Sequence, residues 1–181
     1  MKKKTSNFLF LSAAAAVLFI SGCARENNST VHLYTDPQYG FRIARPDCGW
    51  ILSDETGFAD VLVIIKSDSI SENFTPNVTV AIEPLPCMMS AFEYGEINRK
   101  SLQAQGYDLL FSNRTVINRN LFYDLEFSNR HISPSLRFRC LCLVKNRVGF
   151  IITCTAPEKV FAGFAADFGI IVNTFRLLGQ P

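Results

Sequence analysis

Cysteine is the residue type with which this chain could most readily do chemistry, and Cys23 stands apart from the other five cysteines. It follows the small pair Ser21-Gly22, at the close of an apolar run from Phe8 to Ile20 that comes soon after three lysines. A basic start, a short apolar stretch and small residues before a cleavage point are typical of a secretory signal. A cysteine directly after that point offers a thiol that can be acylated.

The residues Phe19-Ile20-Ser21-Gly22-Cys23 resemble a bacterial lipobox. This pattern predicts that residues 1–22 are a lipoprotein signal peptide, that Cys23 is the lipidated first residue, and that residues 23–33 form a tether. Plain secretion and a retained membrane anchor remain as alternatives, although the 13 residues Phe8–Ile20 are fewer than the roughly 20 that cross a bilayer. Two or more lipid chains hold a protein stably on a membrane. The predicted location is the bacterial cell envelope, and Ala24 in place of an acid favours the outer membrane.

The other five cysteines leave three interpretations open. They are Cys48, Cys87, Cys140, Cys142 and Cys154. Cys140 and Cys142 share a strand face, because strand side chains repeat every two residues. If the next strand buries the same face, which requires an odd-length loop, we expect Cys154 to lie opposite or diagonal to one of them. The alternatives are buried free thiols, one disulfide (within this trio or between Cys48 and Cys87) and a metal site. Cys-x-Cys lacks the spacer typical of zinc ligands, and we predict neither a metal nor a cofactor.

No catalytic residue is predicted, and we expect the chain not to be an enzyme. The sequence contains no nucleophile elbow, no His-Glu-x-x-His pattern and no phosphate-binding glycine loop. The two histidines, His32 and His131, are expected at the surface. Asp124 and Glu126 share a strand face and could form a carboxylate pair, but alternation predicts that this face is solvated. Met88-Met89 is expected to fill the core, with an exposed contact patch as the alternative.

The charge of the chain is almost balanced once the predicted signal is removed. Loss of Met1–Gly22 takes away three lysines and leaves 15 basic and 16 acidic side chains, so we predict no nucleic-acid partner. The distribution is uneven, since Asp47–Glu96 holds nine acids and one base, whereas Arg99–Arg147 holds nine bases and three acids. Either the basic half forms a face that meets an anion, or the charges are scattered and complement one another in the fold.

Apolar periodicity predicts strands through most of the chain. The clearest alternation runs through Leu121–Arg130, and the short apolar run Asp60–Lys66 suggests a strand covered on both faces. Tight turns join the predicted strands between Tyr107 and Thr155, so we expect them to be neighbours in one sheet.

Two helices are predicted from capping boxes. Ser90-Ala91-Phe92-Glu93 starts a helix that should reach about Gln105, with Gly106 just past its end. Thr155-Ala156-Pro157-Glu158 is a second capping box, which predicts a last helix running to about Asn173. The order of elements predicts an α+β fold, in which helices pack on an antiparallel β-sheet.

Two short segments resemble the PsbP/Mog1 superfamily. The first is Tyr39-Gly40-Phe41-Arg42-Ile43 with Pro46 and Trp50, which is similar to the opening strand of those domains. The second is Phe168 with Ile171-Val172-Asn173-Thr174-Phe175, which is similar to their final helix and its Thr-Phe ending.

The resemblance spans about Tyr34–Leu178, and implies a single domain over residues 34–178 with an α/β/α sandwich around an antiparallel sheet. The superfamily includes a photosystem extrinsic subunit, a Ran-binding nuclear-transport factor and many bacterial lipoproteins. Its branches do not share partner surfaces, so no functional residue is carried over to this chain.

We therefore expect a membrane-anchored envelope lipoprotein that acts as a non-catalytic binding or scaffold domain, with an envelope protein as its partner. The alternative is a carrier of a small apolar ligand or lipid, suggested by 16 phenylalanines and 48% hydrophobic residues. Such a carrier needs a cavity of at least roughly 300 Å³.

Overall fold

A computed structural model describes residues 32–179 of the chain. Ten strands and two helices follow one another as β1 (Leu33–Asp36), β2 (Phe41–Ala44), β3 (Trp50–Ser53), β4 (Val61–Ser67), β5 (Asn77–Pro84), α1 (Ala91–Ala104), β6 (Asp108–Ile117), β7 (Asn120–Asn129), β8 (Leu136–Lys145), β9 (Val148–Pro157), α2 (Phe161–Thr174) and β10 (Arg176–Leu177). Seven strands form an antiparallel sheet in the order β3-β4-β5-β9-β8-β7-β6. The remaining three form a small sheet in the order β1-β2-β10.

Both faces of the large sheet are covered. Helix α1 packs on one face, against β7 and β8, and α2 packs with the small sheet on the other face. This confirms the predicted α+β fold with helices on an antiparallel sheet. The sequence does not predict β3, because Ile51 is apolar although it is exposed between the buried Trp50 and Leu52. Strand β10 has only two residues, too few to show alternation.

Each face carries its own core. The core on the α2 side is rich in phenylalanine: Phe41 stacks on Phe175 at 5.5 Å between ring centroids and meets the edge of Phe150 at 5.8 Å. The core on the α1 side includes Leu125 and Phe127, which are fully buried. Because both sets come from the same alternating strands, the sheet is the shared wall of two apolar layers.

The first predicted capping box is present and the second is not. The Ser90 hydroxyl accepts from the Glu93 N–H at 3.1 Å, and the Glu93 carboxylate accepts from the Ser90 N–H at 2.8 Å. At Thr155, however, the chain is still in β9, which pairs with β8 as far as Pro157. Helix α2 begins only at Phe161 and has no side-chain cap. Strand pairing therefore overrides the local helix signal at this point.

Two glycines let α1 approach the sheet closely. A Cβ built on Gly95 would lie 2.1 Å from Cδ1 of Tyr123, and one built on Gly149 would lie 2.4 Å from Cζ of Tyr94. Each ring therefore occupies the place of a missing side chain. Tyr94 is almost fully buried and donates its hydroxyl proton to Glu83 at 2.9 Å.

Glu96 joins the same helix to the sheet through hydrogen bonds. The Tyr123 hydroxyl donates to Glu96 at 2.6 Å, and the Arg99 guanidinium donates two bonds of 2.8 Å to the same carboxylate. These bonds, first from Arg99 and then from Tyr123, lower the pKa of Glu96 from 4.5 to about 2.

Strand β6 lies at one edge of the large sheet, with β7 as its only neighbour among the described strands. Most of its ten residues are exposed, including Phe111 and Val116. It therefore presents one row of backbone groups to its surroundings.

We expect Gly95→Ala to lower the free energy of unfolding by roughly 1–3 kcal/mol, because the added methyl group overlaps the Tyr123 ring. Gly163→Ala is the matched control, since its added Cβ has no neighbour within 4 Å and lies on the exposed side of α2. It should raise the free energy of unfolding by up to about 1 kcal/mol through helix propensity. Urea denaturation of both variants measures the difference, and equal effects would contradict the close approach of α1.

Glu96 should make the stability of the domain depend on acid pH. A carboxyl group whose pKa is lower in the folded state contributes stability above its unfolded pKa of 4.5, and loses it as the pH falls towards about 2. We expect the free energy of unfolding of Glu96→Gln to differ less between about pH 5 and about pH 2 than that of the wild type. Tyr123→Phe should reduce the difference in part, because it removes one of the bonds to Glu96. Urea unfolding at the two pH values tests this. Variants whose free energy of unfolding changes with pH as much as that of the wild type would contradict it.

Candidate functional site

The predicted lipidation residue, Cys23, and the predicted signal peptide lie outside the described residues. Within residues 32–179, neither helix has the length and apolarity needed to cross a bilayer. The candidate sites that the structure does place are the thiols, the carboxylate pair and the polar ends of the sheet.

The buried thiols do not form the predicted group of three. Cys140 and Cys142 face the α1 side as expected, but Cys154 pairs with Arg139 and faces the α2 side. The prediction that Cys154 lies beside them is wrong, because the turn between β8 and β9 has two residues, Asn146 and Arg147. An even turn reverses the expected phase of the second strand. The sheet itself therefore separates Cys154 from the other two thiols.

All five cysteines of the described region are free thiols. Burial raises the pKa of the Cys140 thiol to about 12, and also raises the pKa of Cys142 and Cys154, so these three are poor nucleophiles. Cys48 and Cys87 are exposed, but they lie at opposite ends of the sheet: Cys48 precedes the start of β3, and Cys87 follows the end of β5. This separation excludes a bond between them. No cluster of three metal-ligating side chains occurs among residues 32–179.

Asp124 and Glu126 share the α2 side of the sheet, but that face is not fully solvated as predicted. Asp124 is only 5% exposed. Arg139 on the neighbouring strand donates to its carboxylate at 2.8 Å, and Arg137 pairs in the same diagonal manner with Glu126. The bond to Asp124 raises the pKa of the Arg139 guanidinium. The two carboxylates are therefore rungs of an ion-pair ladder rather than a free acid–base pair.

The ladder lies on the sheet beside the start of α2. The Arg137 guanidinium lies 5.1 Å from the ring centroid of Phe161, the first residue of the helix. Arg139 is paired with Cys154 across the strands, so it lies beside that buried thiol on the same face. Sequence alternation identifies the shared face of the carboxylates, but it does not show that α2 and two arginines cover it.

The predicted surface residues are found at the surface. His131 is exposed, near Gly106 after α1, and His32 lies 3.8 Å from Asp47 with both side chains exposed. The pair Met88-Met89 divides between its two interpretations. Met88 is 71% exposed, whereas Met89 packs against the core on the α1 side.

The basic half of the chain separates into two groups. On the sheet and on α1, arginines pair with carboxylates: Arg99 with Glu96, Arg130 with Glu158, Arg137 with Glu126 and Arg139 with Asp124. This group supports the interpretation in which the charges complement one another. The second group lies at one end of the sheet and has different partners.

We call that end the basic tip, formed by the β6–β7 turn (Asn118-Arg119), the β8–β9 turn (Asn146-Arg147), the loop at residues 85–90 and the first turn of α1. The loop is fixed to the second turn, where the Leu85 N–H donates to the Arg147 carbonyl at 2.7 Å. Asn118 donates to the carbonyls of Asn173 and Phe175, which fixes the end of α2 to the first turn.

Cations at the basic tip are held by neutral groups. Lys145 donates to the carbonyl of Leu178 at 2.9 Å, Arg147 to that of Pro86 at 2.7 Å, and Arg176 to that of Phe175 at 2.9 Å. The Arg114 guanidinium lies 4.5 Å from the centroid of the Phe92 ring. None of the ion pairs between described residues involves these four side chains. Their positive charge is therefore not neutralised within residues 32–179.

A surface depression of about 520 Å³ lies between β1 and the loop that joins β3 to β4. Tyr34 and Phe58 contribute rings to its wall, and Asp54 and Glu55 contribute carboxylates. Burial and the bond that its hydroxyl donates to Asp36 raise the pKa of Tyr34 to about 12, so this phenol stays protonated.

Comparison with solved structures identifies proteins of the same shape. The cyanobacterial PsbP protein CyanoP from Synechocystis matches with a TM-score of 0.58 and 15% sequence identity, over 87% of this chain and 98% of CyanoP. A Pseudomonas aeruginosa protein of unknown function, described as a putative regulator, matches with a TM-score of 0.57 and 12% identity, over 83% of this chain and 99% of that protein. A Bacteroides thetaiotaomicron protein matches with a TM-score of 0.53 and 10% identity, over 82% of this chain and 49% of that protein.

No protein-family profile and no curated protein sequence matches the chain. At these low identities the structural matches establish the fold alone. The fold is PsbP-like, as the sequence resemblance indicated.

We expect Arg139→Met to lower the free energy of unfolding by about 3 kcal/mol, because it leaves the buried Asp124 carboxylate without its partner. Arg130→Met is the matched control and should cost less than about 1 kcal/mol, since the pair with Glu158 is more exposed. Adding Asp124→Asn to Arg139→Met should recover part of the loss. Chemical denaturation measures all three variants, and a loss for Arg139→Met as small as that for Arg130→Met would contradict the ladder.

Proposed function

We propose that this chain is a lipid-anchored lipoprotein of the bacterial cell envelope, placed in the outer membrane, whose PsbP-like domain acts as a non-catalytic binding or scaffold domain. The observation that carries the proposal is the sequence Phe19-Ile20-Ser21-Gly22-Cys23, which places an acylatable thiol directly after a signal-like segment. The partners are the membrane, through the lipid on Cys23, and an envelope protein.

The position of the first strand supports this arrangement. Strand β1 begins at Leu33, so about ten residues separate the domain from Cys23. A fully extended chain spans roughly 3.3–3.6 Å per residue, which keeps the domain within about 35 Å of the anchor. A domain held so close to the membrane would meet other envelope components at its surface.

The state of the reactive side chains favours binding over catalysis. Asp124 and Glu126 are engaged by guanidinium groups, and the thiols of Cys140, Cys142 and Cys154 are buried and protonated. By contrast, the basic tip offers exposed and charged surface.

The carrier of a small apolar ligand is the second candidate, because the depression beside β1 exceeds the volume that such a ligand needs. Its lining argues against an apolar occupant, since the carboxylates of Asp54 and Glu55 would lose water on contact with one. The binding or scaffold function is therefore preferred.

Mass spectrometry of the protein extracted from its native membranes tests the proposal. We expect a chain that starts at Cys23 and carries the added mass of its acyl groups, because the signal peptide is removed and the thiol is modified. A thiol reagent applied to the folded protein should modify Cys48 and Cys87 only, since the other three thiols are buried.

Cys23→Ala is the control for the anchor and should leave the chain unacylated and unprocessed. A wild-type mass that retains the first three lysines and shows no acyl group would refute the proposal. A processed chain without acyl groups would assign it to plain secretion.

A further inference from the structure

The described chain begins at His32, on the face of the large sheet that carries α2. The His32 carbonyl accepts from the Arg45 N–H at 3.0 Å, and the neighbouring residue Ala44 is bonded to Thr174 at the end of α2. That end of the helix is bonded in turn to Asn118, in the β6–β7 turn. His32 also lies 3.8 Å from Asp47, the residue before Cys48, so the chain enters the domain between the basic tip and the end that carries Cys48.

The basic tip also exposes apolar side chains. Val116 and Leu121 are a directly opposed pair at the end of the β6–β7 hairpin, and they are 67% and 49% exposed. Phe92 and Met88 are exposed close by, because Phe92 contacts Tyr123, two residues along β7 from Leu121. Apolar side chains between cations whose charge is not neutralised are the composition that binds an anionic lipid surface.

The nearby acids do not cancel this charge. Glu83 accepts from the Tyr94 hydroxyl, and Glu93 is held in the capping box by Ser90. Against these two stand four bases of the basic tip: Arg114, Lys145, Arg147 and Arg176. The acids Asp54, Glu55 and Asp60 lie at the same end of the sheet but beyond β5, in the loop that joins β3 to β4. The basic tip is thus complementary to a negatively charged partner.

We infer that the basic tip docks on the anionic lipid headgroups of the membrane that holds the lipid anchor, with Val116, Leu121, Phe92 and Met88 reaching the boundary of the acyl chains. This inference rests on the proposed lipid anchor, whose tether of about ten residues reaches about 35 Å and so allows the tip to meet the membrane. It gives the anchored domain a fixed orientation. The opposite end of the sheet, where Cys48 lies, then faces away from the membrane.

Two native thiols report this orientation. Cys87 belongs to the loop of the basic tip, and Cys48 is exposed at the opposite end of the sheet. An environment-sensitive fluorophore is attached to Cys87 in the Cys48→Ser variant, and to Cys48 in the Cys87→Ser variant. The full acylated protein is then placed on vesicles of phosphatidylcholine alone, or of phosphatidylcholine with about one third phosphatidylglycerol.

On the anionic vesicles, we expect the emission of the Cys87 probe to rise and to resist quenching by aqueous iodide. The Cys48 probe should respond equally on both kinds of vesicle. Salt at about 1 M should reverse the Cys87 signal, because it shortens the screening length to about 3 Å. The protein itself should still float with the vesicles, since the acyl chains hold it there.

Charge-neutralising variants distinguish an effect of the basic tip from an effect of the total charge of the domain. Arg114→Gln with Arg176→Gln removes two tip charges that are held only by a ring and by carbonyl groups. This pair should lower the ratio of docked to undocked protein about fivefold for each charge. Arg130→Gln with Lys159→Gln is the matched control: it removes the same charge from other parts of the surface, where these bases pair with Glu158 and Glu72, and should leave the ratio unchanged.

The outcomes are distinguishable. Protein that floats with both kinds of vesicle while Cys87 stays equally accessible on each would overturn the docking and leave the anchor intact. Protein that floats with neither would overturn the anchor, and the docking with it. Protection of Cys87 by soluble polyglutamate but not by anionic vesicles would assign the basic tip to an acidic protein instead, and would also overturn the inference.

Discussion

The parity of the tight turns is the constraint on which the rest of this structure depends. Two-residue turns, with positive φ at both positions, join β6 to β7 and β8 to β9. Side chains alternate between the faces of a strand, so the number of residues in each turn decides which face every later side chain occupies. This parity places Cys154 on the α2 side. The connection between β7 and β8, residues 130–135, is also even in length, and it puts the arginines of β8 on the same face as the carboxylates of β7.

The same parity divides the positive charge of the domain. Within the sheet, the arginines fall on the face that carries Asp124 and Glu126, and the charges cancel across the strands. At the turns the bases have no carboxylate on a neighbouring strand as a partner. Lys145 and Arg147 bond to carbonyl groups instead, and Arg114 lies over the ring of Phe92. The uneven distribution along the sequence thus becomes a neutral sheet with a positively charged end.

Much of the fold could be predicted from the sequence, because strong local signals agree with the final structure. The capping box at Ser90 and the alternation in Leu121–Arg130 are decided within a few residues. The capping box at Thr155 failed because a neighbouring strand competes for the same backbone. The burial of Asp124 and the grouping of bases at the basic tip depend on which strands are neighbours and on where α2 starts and ends. The alternation of residues along a single strand contains no information on either. The location of the protein rests on residues 1–23 alone, outside the described fold.

The exposed edge of strand β6 has a consequence for copies of this chain that lie side by side on one membrane. Its outer row of backbone groups could pair with the same strand of a neighbouring copy and extend the sheet from molecule to molecule. The bulge after Leu109 and the charge of Arg114 interrupt this row, and both are devices that discourage such stacking. An outer strand protected in this way allows many copies to be crowded together without polymerising.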